Sequence, residues 1–158
     1  MNEPSFLSVG CDTYLDQIPG FIRRLASDRI ERGVGFEITI TRDFSASHQL
    51  RLYDGSLEPL HGHNWHVVVT VGAKKLDSIG VVMDFHELQR LLDAIIEPMH
   101  NRHLNDLAAF SATNPSAEQV AAHIADVLKV PGGGRLVCVE VWETPDCRAR
   151  WLADTSPG

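Results

Sequence analysis

The pattern of apolar and β-branched residues predicts two strands in the first half of the chain. Residues 36–40 alternate between apolar and polar, which is typical of a strand with one buried face, and the pattern continues toward His48. Residues 65–71 are rich in β-branched side chains and predict a second strand. Between the two strands, 49–59 contains turn-forming residues, so we expect a loop there and antiparallel pairing of the strands.

Two helices and a closing hairpin are predicted in the second half. Residues 84–97 carry an apolar stripe with helical spacing that ends at Pro98. Ser116 is the expected N-cap of a second helix, which stops at a run of proline and glycines. The inward-facing side chains are expected to be Phe85, Leu88, Leu92, Ile95 and Ile96 in the first helix and Val120, Ile124, Val127 and Leu128 in the second. Residues 136–142 and 148–152 then predict a final hairpin.

The elements therefore follow the order strand, strand, helix, helix, strand, strand. This ββααββ order predicts an α+β domain in which two helices pack on one face of a four-stranded antiparallel sheet. We assign the domain to residues 35–158. Residues 1–34 are expected to form a partly helical N-terminal extension, because several of their apolar side chains have helical spacing.

Composition and charge argue against several classes of function. The chain of 158 residues is 44% hydrophobic and 22% charged, which is ordinary for one globular domain. Its net charge of -7 argues against a nucleic acid or an anionic membrane as a partner. The sequence shows no signal-peptide pattern and its three cysteines are far apart, so we expect reduced thiols and a cytoplasmic location.

Three histidines are attached to the first two strands. His61 and His63 alternate along one strand, so their imidazoles point to the same face. His48, at the end of the neighbouring strand, adds a third nitrogen ligand. Three protein ligands with one open position is how catalytic zinc is held, so these residues predict a Zn²⁺ site. Surface positions are expected for His66, His86 and His123.

Several motifs follow one another in the order found in one enzyme family. They are Phe44-Ser45-Ala46-Ser47-His48, Leu60-His61-Gly62-His63-Asn64-Trp65, Gly80-Val81-Val82-Met83-Asp84-Phe85, Asn114-Pro115-Ser116 and Trp142-Glu143-Thr144. From about residue 36 to 152, the chain thereby resembles the 6-pyruvoyltetrahydropterin synthase family, which includes the 6-carboxytetrahydropterin synthases. The resemblance implies the tunnelling fold, or T-fold. It also implies a homo-oligomer, a trimer-based hexamer with its sites at subunit interfaces.

The resemblance further implies roles for particular residues. His48, His61 and His63 would hold zinc, and Glu143, with Thr144 beside it, would bind a pterin. A carboxylate suits this anchor because it accepts two parallel hydrogen bonds, from the 2-amino and ring N–H groups of a pterin. By its position alone, Glu143 would be expected to be an exposed acid at the end of a strand.

The chain departs from the family pattern in the loop before His61. Family members carry a catalytic cysteine there, whereas this chain has Glu58 and no cysteine nearby. It resembles a subgroup with glutamate at this place, whose members cleave dihydroneopterin triphosphate to 6-hydroxymethyl-7,8-dihydropterin. The resemblance therefore implies a zinc-dependent lyase acting on the side chain of that or a related pterin, with Glu58 as general base.

A second departure concerns proton transfer after the first helix. The family has an Asp-His dyad followed by a Leu-Asn pair, and aligning on Leu104-Asn105 puts His100 and Asn101 in place of the dyad. Asparagine does not titrate, so His100 or His103, oriented by Asp106, is the expected proton carrier from a shifted position. A lost dyad is the alternative.

Three other functions stay open. One is synthase activity that gives 6-pyruvoyl- or 6-carboxytetrahydropterin, and another is a homologue that binds zinc and pterin without catalysis. The third is an unrelated metal hydrolase in which Glu58 activates zinc-bound water. A triphosphate would need cations, for which the candidates are Arg51, Lys74, Lys75 and Arg102.

Overall fold

The computed structural model describes residues 35–154, so the extension predicted for 1–34 lies outside the described residues. The strands are β1 (Phe36–His48), β2 (His61–Ala73), β3 (Arg102–His103), β4 (Arg135–Thr144) and β5 (Cys147–Leu152). The helices are α1 (Phe85–Ile96) and α2 (Ala117–Val127), and short 3-10 turns occupy Glu97–Met99, Leu104–Asp106 and Ala108–Phe110. In this part of the chain, no helix has the length and apolar character needed to span a membrane.

The five strands form one sheet with the order β3-β1-β2-β4-β5. β1 and β2 pair antiparallel over their whole length, with Phe36 opposite Ala73 and His48 opposite His61. β4 pairs antiparallel with β2 on one side and with β5 on the other. This arrangement confirms the predicted α+β domain and its ββααββ order.

A short edge strand is added to the four antiparallel strands that the sequence predicts. β3 is two residues long and pairs parallel with residues 46–47 of β1, which makes the sheet mixed. The backbone N–H of Asn101, just before β3, donates to the carbonyl of Ser45 at 2.6 Å. Two residues are too few for an alternating pattern to be visible, so the sequence could not predict this strand.

The core lies between the sheet and the two helices. Its centre is built from alternate residues of β2 and the inner faces of the helices, all 0% exposed: Trp65, Val67, Val69, Val71, Leu88, Leu92, Val120 and Ile124. Burying one such aliphatic side chain completely stabilises the folded state by about 1.5–3 kcal/mol. A slip of one residue would turn the apolar set of β2 to the other face, so this burial fixes the register. The register in turn determines which face His63 occupies.

The two helices begin as predicted, but two of their apolar residues do not face the core. Asp84 caps α1 and Ser116 caps α2, each accepting a hydrogen bond from a backbone N–H in the first turn. Phe85 is 49% exposed and Val127 is 46% exposed, so the prediction that both point inward is wrong. Phe85 is the first residue of α1 and Val127 the last of α2, beyond the turns that pack on the sheet.

Candidate active site

The three histidines predicted as metal ligands lie together at one end of the sheet. His48 ends β1 directly opposite His61, the first residue of β2. One ring nitrogen from each of His48, His61 and His63 lies within 4.8 Å of the others. His63 has the same strand parity as Trp65 and so points to the helix-covered face, and His48 is only 1% exposed. The pairing of β1 with β2 thus brings the three imidazoles to one point.

Backbone carbonyls orient two of these rings. Nδ1–H of His48 donates to the carbonyl of Pro115 at 2.8 Å, and Nδ1–H of His61 donates to that of Pro59 at 2.9 Å. Because a carbonyl only accepts, Nδ1 carries the proton and Nε2 keeps its lone pair for a ligand. Burial lowers the pKa of His48, which keeps the ring in the neutral form that binds a metal.

Two of the ring nitrogens fit a bound cation. Nε2 of His48 and Nε2 of His63 are buried and have no hydrogen-bond partner in the described part of the chain. Leaving a buried polar atom unsatisfied costs about 1–3 kcal/mol, and a divalent cation at the shared point would satisfy both atoms. Three imidazoles with an open fourth position suit catalytic zinc, so the residues present fit the ion that the resemblance implies.

Glu143 lies beside the three histidines, with its Oε1 3.9 Å from Nε2 of His48. The pairing of β4 with β2 ends one residue earlier, at Trp142, and a register shift between β4 and β5 follows. The resulting gap between the end of β4 and the start of β2 opens a cleft of about 750 Å³. We call it the Glu143 cleft; it is lined by residues 62–64, 66, 68 and 142–145, and so includes Thr144.

Glu58 is held next to His61 by the loop between β1 and β2. The backbone N–H of Leu50 donates to Glu58 Oε1 at 2.8 Å, and the N–H of Glu58 donates to the carbonyl of Leu50 at 3.0 Å. The same Oε1 lies 3.8 Å from Nδ1 of His61. Among the described residues Oε2 makes no hydrogen bond, so one carboxylate oxygen is fixed by the loop and the other is available to a substrate.

Comparison with known proteins identifies the family. A family model described as 6-pyruvoyl tetrahydropterin synthase matches residues 37–153. The chain belongs to the 6-pyruvoyl tetrahydropterin synthase family. It is 35% identical over 116 residues to the 6-pyruvoyl tetrahydrobiopterin synthase of Homo sapiens, covering 64% of this chain and 80% of that protein. It is also 32% identical over 104 residues to the dihydroneopterin monophosphate aldolase of Pyrococcus furiosus, with 63% and 82% covered.

Solved structures of the 6-pyruvoyl tetrahydropterin synthase family have the same fold. The structure from Caenorhabditis elegans aligns with a TM-score of 0.64 at 23% identity, covering 75% of this chain and 96% of that one. A catalytic-residue variant from Plasmodium vivax aligns with a TM-score of 0.60 at 15% identity, with 75% and 98% covered. These alignments confirm the T-fold.

His100 and Asn101, which the sequence predicts at the positions of the family's proton-transfer dyad, both make hydrogen bonds to β1. Nδ1 of His100 accepts a hydrogen bond from the backbone N–H of Ser45 at 3.2 Å, and the N–H of Asn101 donates to the carbonyl of the same residue. Asn101 has a φ of 57°, in the left-handed region that asparagine tolerates better than most residues. The backbone conformation therefore gives a structural reason for an asparagine here.

His103 lies in a second cleft, whereas Asp106 does not orient it. Nδ1 of His103 is 3.3 Å from the hydroxyl of Ser47, and the ring lines a cleft of about 500 Å³ that also reaches His63. No hydrogen bond or ion pair within residues 35–154 joins Asp106 to His100 or His103. Asp106 is the exposed last residue of a 3-10 turn, so the orienting contact predicted from the sequence is not made.

Two asparagines position the Glu58 loop, a role that the sequence did not reveal. Asn105 accepts a hydrogen bond from the backbone N–H of Gln49 at 3.0 Å and donates to the carbonyl of Gln49 at 2.8 Å. Asn114 makes the same two contacts with Arg51, at 2.7 Å and 3.0 Å. Each side-chain amide thus makes the two hydrogen bonds that the backbone of a paired strand residue would make. Asn105 belongs to the Leu104-Asn105 pair and Asn114 to the Asn114-Pro115-Ser116 motif. Their place in these motifs was the feature of the sequence that could have indicated the role.

His66, predicted at the surface, has an acidic partner. Its Nδ1 lies 2.7 Å from Oδ1 of Asp43, and its ring lines the Glu143 cleft. The two residues are directly opposite each other on β1 and β2. They are 23 residues apart in the sequence, so the pair becomes visible only when the strand register is known.

The cations considered for a phosphate group are spread over the molecule. Lys74 and Lys75 follow the far end of β2, about 40 Å along the strand from its first residue. Arg51 donates to the carbonyl of Gly55 at 3.1 Å. Arg102 lines the second cleft together with His63, which makes it the best placed of the four within one subunit.

Proposed function

We propose that this protein is a zinc-dependent lyase that cleaves the side chain of a 7,8-dihydroneopterin mono- or triphosphate and releases 6-hydroxymethyl-7,8-dihydropterin. The observation that carries the proposal is Glu58, hydrogen-bonded in place beside His61 where other family members are expected to have a cysteine. The relative from Pyrococcus furiosus, named a dihydroneopterin monophosphate aldolase, supports this reaction. A Plasmodium vivax family member solved as variants of a catalytic glutamate supports a glutamate in this role.

Each side chain has one task in the proposed cleavage. Glu58 takes the proton of a side-chain hydroxyl, because its Oε2 is not used by the loop. Glu143 accepts hydrogen bonds from the 2-amino and ring N–H groups and so fixes the ring. His103 gives a proton to the side-chain carbon, since its ring lines a cleft that also reaches His63. The role of His100 stays a prediction, and Asp106 is given no task because, within residues 35–154, it makes no hydrogen bond or ion pair with either histidine.

The reaction is balanced without an oxidant. The O–H bond pair becomes the second bond of the released aldehyde's C=O group, and the electron pair of the broken C–C bond passes into the ring imine. A proton then adds to the carbon that stays on the ring. Zinc held by His48, His61 and His63 would act as a Lewis acid on the side-chain oxygens, which favours loss of the hydroxyl proton.

Product analysis tests the proposal directly. Zinc-loaded protein is incubated with dihydroneopterin monophosphate and triphosphate, and the products are separated by chromatography. We expect 6-hydroxymethyl-7,8-dihydropterin. Formation of 6-pyruvoyl- or 6-carboxytetrahydropterin would favour the synthase alternative, for which the 35% identity to the human synthase is the supporting observation. Unchanged substrate with pterin still bound would favour a homologue that binds without catalysis.

A Glu58→Gln variant tests the proposed base. Glutamine still accepts the hydrogen bond from Leu50 N–H but cannot take a proton, so kcat should fall about 10²–10⁴-fold. Zinc content should not change. Glu87→Gln, at an exposed glutamate of α1, is the matched control and should retain wild-type kcat. Wild-type turnover in Glu58→Gln would remove Glu58 from the mechanism.

A Glu143→Ala variant tests the proposed anchor. Hydrogen bonds to a charged group contribute about 1.5–3 kcal/mol, so the dissociation constant for a pterin should rise roughly 10- to 100-fold. The measurement is fluorescence titration with a pterin that is not turned over. An unchanged dissociation constant would mean that the ring binds elsewhere.

Assembly and location complete the proposal. We propose a homo-oligomer, a trimer-based hexamer with sites at subunit interfaces, in the cytoplasm. The Glu143 cleft and the second cleft both lie at the open end of the sheet, where residues of another subunit could close them. Light scattering of the purified protein measures the subunit number, and a monomer at working concentration would contradict this part.

A further inference from the structure

We propose, on the basis of the lyase function above, that His66 is a further catalytic residue and that Asp43 is its positioning residue. His66 exchanges a proton with the ring of the pterin that Glu143 binds. Neither residue belongs to the three-histidine cluster, and neither stands at the dyad positions, which hold His100 and Asn101.

The strand register builds the pair. Asp43 on β1 and His66 on β2 are directly opposite, and Oδ1 of the aspartate lies 2.7 Å from Nδ1 of the histidine. A carboxylate only accepts, so Nδ1 carries a proton and Nε2 is the working nitrogen. The carboxylate also holds the orientation of the ring, as it does in other carboxylate–histidine pairs that transfer protons.

His66 lies in the cleft that holds the proposed anchor. It is paired with Trp142, the residue before Glu143, and both His66 and Glu143 line the Glu143 cleft. Even-numbered residues of β2 face away from the helices, whereas His63 faces the helices. The cleft reaches both faces, because β4 does not pair with residues 61–65 of β2. His63 and His66 both line this cleft, from opposite faces of the sheet, so a pterin bound there would lie between them.

The chemistry gives His66 a defined task. When the C–C bond breaks, its electron pair passes into the ring imine, and imidazolium His66 gives its Nε2 proton to the ring nitrogen that receives the pair. When His103 adds a proton to the side-chain carbon, the imine forms again and the ring nitrogen returns its proton to His66. Charge therefore does not build up on the ring, and His66 ends in the state in which it began.

Another aspartate–histidine pair in the protein supplies a matched control. Nδ1 of His86 lies 3.2 Å from Oδ1 of Asp84 on the first turn of α1. Its side chain is 92% exposed and lines neither of the two clefts. A His86→Ala change thus removes a histidine with the same kind of partner but no access to the proposed site.

Turnover of dihydroneopterin monophosphate by the zinc-loaded protein is the first test. His66→Ala should lower kcat about 10²-fold or more with little change in KM, and added imidazole should restore part of the rate. Asp43→Asn should lower kcat by a smaller factor, and His86→Ala should retain wild-type kcat. Wild-type kcat in His66→Ala overturns the proposal, and so does a loss that imidazole does not restore.

Binding without turnover is the second test. Neopterin, an oxidised pterin, is titrated into protein with ¹⁵N-labelled histidine, and the ring resonances of His66 should shift while those of His86 stay in place. An unmoved His66 overturns the proposal whether or not the protein is a lyase. If His66 shifts but neither phosphate is turned over, the lyase function and the catalytic role of His66 both fail, and His66 is only a pterin contact.

Discussion

Asn105 lies within the 3-10 turn Leu104–Asp106 and joins that turn to the start of the Glu58 loop, so replacing it with alanine gives a quantitative test. Its two hydrogen bonds to the Gln49 backbone, at 3.0 Å and 2.8 Å, are partly buried. A hydrogen bond contributes a net 0.5–1.5 kcal/mol, so losing two should lower the free energy of unfolding by about 1–3 kcal/mol. Because water can reach the half-buried Gln49 backbone in the variant, we expect a value in the lower half, about 1–2 kcal/mol.

The same substitution should reduce turnover without removing the metal. Gln49 donates its side-chain N–H to the carbonyl of Glu58, and Leu50 donates its backbone N–H to the carboxylate, so a loosened loop would misplace the proposed base Glu58. Urea denaturation at fixed zinc concentration measures stability, and kcat and zinc content are measured on the same preparation. Asn114→Ala removes the equivalent but more exposed pair of hydrogen bonds, so it should lower the free energy of unfolding by less than Asn105→Ala does. A wild-type urea midpoint for Asn105→Ala would refute the reasoning.

His48→Ala removes a proposed zinc ligand with a buried Nε2, so the purified protein should lose stoichiometric zinc by elemental analysis, whereas His100→Ala should keep it. Burial lowers the pKa of His123 from 6.5, so the unfolded chain binds more protons below that pH, and stability should fall as pH drops. In urea titrations above and below pH 6.5, the free energy of unfolding of His123→Gln should decrease less with falling pH than that of the wild type. An unchanged pH dependence would contradict this prediction. Leu92→Ala should lower the free energy of unfolding by about 2–5 kcal/mol, because Leu92 is 0% exposed. Val127→Ala should change it by no more than about 0.5 kcal/mol, because Val127 is half exposed. Equal urea midpoints for the two variants would contradict these burial assignments.

Periodicity was sufficient for the main elements of the fold. The β-branched side chains that follow Trp65 predict β2, and alternate residues of that strand are completely buried against the helices. The cap at Ser116 was predicted because such a side chain accepts a hydrogen bond near its own position in the chain, and Asp84 caps α1 in the same way. Phe85 and Val127 were placed wrongly, because periodicity does not say where along a helix the packed surface ends.

The residues of the candidate site were predictable to different degrees. His61 and His63 share a face by strand parity alone, and His48 joins them through the pairing of β1 with β2. The position of Glu58 beside His61 follows from the loop hydrogen bonds. The expected contact of Asp106 with a histidine was a guess from sequence proximity. It fails because the 3-10 turn leaves that side chain exposed.

The sequence by itself determined which segments become strands and helices, because that choice depends on the spacing of neighbouring side chains. It also supplied the three imidazoles, since two of them share one strand. Only the tertiary structure decided which groups meet across the sheet. The Pro115 carbonyl that orients His48 is 67 residues away, and the Asp43 partner of His66 is 23 residues away. Such pairs depend on strand register, which is set by burying a whole apolar face and not by the residues of the pair.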